Sequence, residues 1–152
     1  MKLAEALQEI ADLVRKINEL GARIRHNVLV QQGEAPGEDP NLMFEELNSA
    51  TNRLETLIRQ INYSNCKYSV GGRTLTEVIA RKDVLKMLYS SYRDAISAAT
   101  QSTSRARGTE IKILTVVDVK ALRTASDEIA KEIRHLDNSL QEANWTFELI
   151  EA

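Results

Sequence analysis

Leu122, Ser126, Ile129, Ile133, Leu136, Leu140, Ala143, Phe147 and Ile150 recur at spacings that alternate between four and three residues over four heptads. A strand turns its faces every second residue, so no strand can gather this set on one side. An α-helix collects all of it in one stripe, and that stripe needs an apolar partner along its length. The spacing predicts a last helix running to about Ile150 and packed lengthwise against other helices. Thr115 and Asp118 stand three apart, as in a capping box at its start.

Three more stretches follow the helical period. From about Lys2 to Gln31, Leu3, Leu7, Ile10, Val14, Ile17, Ile24 and Val28 form a seam with Gly21 in the remaining slot, and Ala6, Leu13 and Leu20 widen it. Glycine weakens a helix interior, so a close helix crossing is expected at Gly21. A polar loop from Gly33 holds both prolines of the chain. Asp39 is then placed to cap a second helix whose first position, Pro40, needs no N–H donor. Phe44, Leu47, Leu54, Ile58 and Ile61 make its seam, with Thr51 in register, and it is expected to end near Asn62 to Asn65. Short extended segments on either side of Gly71-Gly72 predict a tight hairpin. Thr74 and Glu77 have capping-box spacing at the start of a third helix. Its seam is Val78, Leu85, Leu88, Tyr92, Ala95 and Ala99, interrupted by Arg81. Between the third and last helices, the β-branched run Glu110 to Val117 suggests a further short strand.

The expected fold is therefore mainly α: an elongated four-helix bundle with a small β-hairpin, in a single domain spanning 1–152. Helices of about 30 residues reach about 45 Å. A compact chain of this length is only about 38 Å across, and that mismatch is why an elongated shape is expected. Such bundles often associate through leftover apolar faces, so a homo-oligomer is expected.

Lys and Arg total 20 against 22 for Asp and Glu, a net charge of -2, which gives no reason to expect polyanion or membrane-surface binding. No stretch reaches the ~18 apolar residues of a membrane span. Cys66 is the only cysteine, which excludes an intrachain disulfide and a cysteine-based zinc cluster. Glu5 and Glu9 fall where a signal peptide would be apolar, so a cytoplasmic location is expected.

Several short motifs carry a family resemblance that runs nearly end to end. They are Lys2-Leu3-Ala4-Glu5-Ala6-Leu7, Gln32-Gly33-Glu34 with Glu38-Asp39-Pro40, Ile61-Asn62 with Asn65, Ala80-Arg81-Lys82-Asp83-Val84-Leu85, Thr115-Val116-Val117-Asp118-Val119 and Asn144-Trp145. In their order and spacing the chain resembles a family of small bacterial proteins that carry the label septicolysin. The resemblance implies a helical domain with a small β element. The label implies a cytolysin, but a pore former needs an apolar or convertible spanning segment, and the sequence contains none.

Candidate chemistry is sparse. Glu132 and His135 have the Glu-x-x-His spacing of dimetal bundles, but the seam at Ile129, Ile133 and Leu136 puts His135 on the outer face. His26 is off its seam in the same way. Asn27, Asn62, Asn65, Arg81 and Asp83 are the candidate polar site. Asn27 and Arg81 fall on apolar faces and must find partners there. Simple up-down topology puts these groups at different ends of the bundle, so a structural network is expected of them. Arg81 is expected to be buried, paired with Asp83 or Glu77. Glu34, Glu38 and Asp39 form an acidic loop that could hold a divalent metal. Arg105, Arg107 and Lys112 around Gly108 are a weak anion-binding candidate, and without interleaved aromatics nucleic acid is not an expected partner. No cofactor is expected. No phosphate-binding glycine loop or nucleophile motif occurs. Trp145 and Leu149, four apart on the last helix and off its seam, are expected to form an outward ridge at a self-association interface. Two functions follow. The first is a non-enzymatic, self-associating helical protein. The alternative is a metal-binding protein or metal-dependent enzyme using carboxylates of the bundle or first loop.

Overall fold

The computed structural model describes residues 1–101 and 112–151. Four helices and one hairpin follow in the order α1 (Leu3–Asn27), α2 (Pro40–Lys67), β1 (Ser69–Val70), β2 (Arg73–Thr74), α3 (Leu75–Gln101) and α4 (Val119–Thr146). The mainly α architecture with a small two-stranded hairpin is the one the periodicities predict. Among the described residues no helix is long and apolar enough to cross a membrane. The chain divides into two compact units, one comprising Met1–Ser69 with Ala143–Ala152 and the other Val70–Glu142.

Local chemistry sets most of the boundaries. Asp39 caps α2 by accepting from the Asn41 N–H at 2.9 Å, and Pro40 opens the helix. At α3, Thr74 and Glu77 close a full capping box. The Thr74 N–H donates to the Glu77 carboxylate at 2.7 Å, and the Glu77 N–H donates to Thr74 Oγ1 at 3.2 Å. Gly71 and Gly72 adopt φ of 57° and 80°, the left-handed conformation that a tight two-residue hairpin turn requires. The start of α4 differs from the expected Thr115–Asp118 box. Asp118 itself is the cap, accepting from the Ala121 N–H at 3.1 Å. Residues 112–117 form no strand, and the rest of the expected strand, 110–111, lies outside the described residues.

In the first unit α1 packs on α2. Leu3, Ala6, Leu20 and Ile24 of α1 are buried, with Ile10, Leu13 and Ile17 half-buried between them. On α2 the buried row is Met43, Ala50, Leu57, Ile61 and Ser64, with Leu47 and Leu54 half-buried. Each fully buried leucine contributes roughly 1.5–3 kcal/mol. Half of each expected seam is kept, Leu3, Ile10, Ile17 and Ile24 with the widening Ala6, Leu13 and Leu20 on α1, and Leu47, Leu54 and Ile61 on α2, while the other half turns outward. Leu7, Val14 and Val28 of α1, and Phe44 and Ile58 of α2, are exposed. The expected close crossing at Gly21 is not there either. A Cβ added at Gly21 would come no nearer than 4.0 Å to another group, the Arg25 guanidinium tip.

The same unit knots the C-terminal segment onto the helix ends. α4 stops at Thr146, not Ile150, because the backbone beyond finds partners on other elements. Glu148 bridges Lys2, and the Leu3 N–H donates to the Phe147 carbonyl at 3.1 Å. The Leu149 N–H donates to the Met1 carbonyl at 2.8 Å, and the Ile150 N–H donates to the fully buried Ser64 hydroxyl at 2.9 Å. The Phe147 ring stacks on Tyr68 with centroids 4.2 Å apart.

In the second unit the inward row of α3 is Leu75, Val78, Lys82, Leu85, Tyr89, Tyr92, Ile96 and Ala99, buried or half-buried throughout. Lys82, not Arg81, interrupts this stripe. Its aliphatic stem is covered, leaving the side chain 17% exposed, and its ammonium reaches Asp137 of α4 at 2.9 Å. On α4 the expected seam holds. Ser126 and Leu140 are buried, and Leu122, Ile129, Ile133 and Leu136 are half-buried.

Candidate functional site

Of the polar residues singled out in the sequence, Asn27, Arg81, Glu38 and Asp39 make structural contacts. Asn27 ends α1 and clasps the first loop. Its Nδ2 donates to the Arg23 carbonyl at 2.9 Å, and its Oδ1 accepts from the Glu38 N–H at 3.0 Å. Glu38 is held by the Arg23 guanidinium, which donates to both carboxylate oxygens and lowers the Glu38 pKa below its ordinary value. Asp39 is the α2 cap, and Glu34 lies exposed in the loop. Asn62 is exposed on α2 and Asn65 half-buried near its end. Asn27 closes α1 at the opposite end of the α1–α2 pair, so these three do not converge.

Arg81 is exposed, contrary to the expected burial. Its partner is neither Asp83 nor Glu77 but Glu132 of α4, with Nε and Nη2 donating to the two carboxylate oxygens at 3.0 and 3.3 Å. Asp83 is exposed. Among the described residues no three His, Cys, Asp or Glu side chains form a group able to hold a metal ion. Arg105, Arg107 and Gly108 of the anion-binding candidate lie outside the described residues.

Sequence reasoning missed a cleft of about 300 Å³ in the second unit, between the hairpin and the helices. Val70, Val78 and Leu136 give it an apolar floor. Arg73, Glu132, His135 and Ser139 stand around it. Two of these polar groups already have partners. Both Glu132 oxygens are held by Arg81, and the single Ser139 hydroxyl proton goes to the His135 carbonyl at 3.1 Å.

The other feature is apolar. One flank of the α1–α2 pair is sealed by ion pairs. Arg53 donates to both oxygens of Glu9 at 2.7 and 2.9 Å, Lys16 lies 2.6 Å from Glu46, and Arg23 holds Glu38. Each partner lowers the pKa of its carboxylate. The opposite flank follows from the heptad positions one step past the buried rows: Leu7, Val14, Gly21 and Val28 on α1, and Phe44, Thr51 and Ile58 on α2. Its large side chains are 41–51% exposed: Leu7 41%, Val14 43%, Ile58 44%, Phe44 46% and Val28 51%. A groove of about 530 Å³ runs along α2 there, lined by Thr51, Leu54 and Ile58 with Glu55, Arg59 and Asn62. Trp145, near the end of α4, is 61% exposed. Leu149 does not continue its ridge, because the chain has left the helix by then and Leu149 is half-buried.

Comparison with known proteins places the chain without assigning it an activity. Residues 10–149 match a family of unknown function, DUF6847. The fold superposes with a TM-score of 0.92 on the crystal structure of a functionally unknown conserved protein from Corynebacterium diphtheriae, at 33% identity and over 99% of each chain. Among curated proteins nothing matches.

Proposed function

We propose that this chain, which belongs to the DUF6847 family of unknown function, is a non-enzymatic helical protein that acts by self-association. The observation that carries this reading is the large apolar surface on the helices of the first unit. Leu7, Val14, Phe44, Ile58 and Trp145 are all more than two-fifths exposed. Scattered single apolar residues need no explanation, but rows of them along helices mark contact surfaces. The engagement of three candidate polar groups supports the same reading. Glu132, Glu38 and Ser139 each already hold a protein partner.

Trp145 is the only tryptophan, so its fluorescence reports on its own surroundings. If it sits at the contact, its emission moves to shorter wavelength and iodide quenching falls as protein concentration rises. Emission typical of a water-exposed indole at every concentration, in a sample that light scattering shows to be oligomeric, would remove Trp145 from the interface. The same emission in a sample that stays monomeric would defeat the reading itself.

A further inference from the structure

We propose that a second copy of this chain docks on the apolar flank of the α1–α2 pair, the flank carrying Leu7, Val14, Phe44 and Ile58. The inference rests on the reading that the chain self-associates, and names the surface responsible. The two flanks of the pair are chemically opposite. One is closed by the Glu9–Arg53, Lys16–Glu46 and Arg23–Glu38 ion pairs. Charges that already have partners gain little from a further contact and must be desolvated to make one. The other flank leaves apolar side chains in water, with Arg25 reaching over Gly21 and Glu55 and Arg59 lining the groove along α2.

Charge selects a second copy as the occupant. On α1 the row bordering the apolar flank is Ala4, Ala11, Asn18 and Arg25. On α2 it is Asn48, Glu55 and Asn62. The charged groups on and beside the flank are Arg25, Glu55 and Arg59, so both signs are present. A two-fold contact brings the same patch against itself, which a patch of one sign resists, whereas a mostly apolar patch of mixed sign can set Glu55 of one copy against an arginine of the other. Area agrees. Helices of 25 and 28 residues extend about 38–42 Å at 1.5 Å per residue, and two side by side are about 20 Å wide. The flank therefore offers about 800 Å² per copy, the size at which stable protein contacts form. Packing two such pairs flank to flank makes a four-helix arrangement with both apolar flanks inside and the ion-paired flanks outside.

Sedimentation equilibrium over a dilution series tests this with four proteins: wild type, the Val14→Glu, Ile58→Glu double variant, Phe44→Ala, and Glu46→Gln on the ion-paired flank. Far-UV circular dichroism checks that each is folded. The double variant should weaken association by about 100-fold or more, because it buries unpaired carboxylates. Phe44→Ala should weaken it by about tenfold, and Glu46→Gln should leave it within about threefold. A wild type that is monomeric at every concentration leaves the flank to a different protein and overturns both this inference and the reading beneath it. A wild type that associates, with Phe44→Ala and the double variant associating equally well, overturns the assignment of this face alone. If the double variant fails to fold, Phe44→Ala decides.

Discussion

Replacing Gly21 by alanine should stabilise the protein. Gly21 lies inside α1 with helical neighbours on both sides. An alanine methyl there meets only the Arg25 guanidinium tip, at 4.0 Å, an ordinary contact with a group that can move away. With no steric cost, the difference in helix propensity remains, about 0.8–1.0 kcal/mol in favour of alanine. For a chain of this size, 1 kcal/mol raises the thermal midpoint by about 2–4 °C. The close helix crossing suggested by the sequence predicts the opposite sign, since overpacking typically costs about 1–3 kcal/mol. Urea unfolding followed by far-UV circular dichroism separates the two. Wild type and variant should be compared at equal concentration, below the onset of self-association, because Gly21 lies in the docking row. A loss of about 1 kcal/mol or more would refute the open surroundings of Gly21 and the placement of α1 on α2 that creates them.

Ser64→Ala leaves the partly buried Ile150 N–H without its acceptor, and should cost about 1 kcal/mol or more in the same assay. Arg81→Ala breaks an ion pair whose members are 47% and 42% exposed. It should cost no more than about 1 kcal/mol, against the roughly 3 kcal/mol that a buried pair would lose. Acid should destabilise the fold. Arg53 lowers the pKa of Glu9, Arg23 that of Glu38, Lys16 that of Glu46, Lys82 that of Asp137 and Lys2 that of Glu148. A folded pKa below the unfolded value gives stability that is complete above the unfolded pKa and lost as pH falls through the folded one. The thermal midpoint should therefore be flat above about pH 5 and drop below about pH 4, by less in high salt. A midpoint that rises on acidification would contradict these pairings.

The features legible in the sequence are those that depend on near neighbours. The α4 stripe, the Asp39-Pro40 start, the Thr74–Glu77 box and the Gly71-Gly72 turn each involve residues a few positions apart, and each is found. The buried rows of α1 and α2 are not fixed by local pattern, because their apolar stripes are two rows wide. Leu7 and Val14 fit a helical seam as well as Ala6 and Leu13, and only the partner helix decides between them. Arg81 and Lys82 pose the same ambiguity one residue apart. Lys82 goes inward because its stem can be covered while its ammonium reaches Asp137. Long-range pairings leave no local trace. Nothing near Arg81 points to Glu132, 51 positions away, and nothing near Leu149 reveals that Met1 and Ser64 end the helix before it. The excess width that obscured the rows is also the apolar flank on which the proposed contact rests.

The most direct measurement of the central claim is the molar mass of the wild-type protein in solution over a wide dilution series. Self-association predicts a mass above 17.1 kDa at high concentration, approaching a multiple of that value and falling back towards it on dilution. A mass of 17.1 kDa at every concentration, for a folded sample, would contradict it.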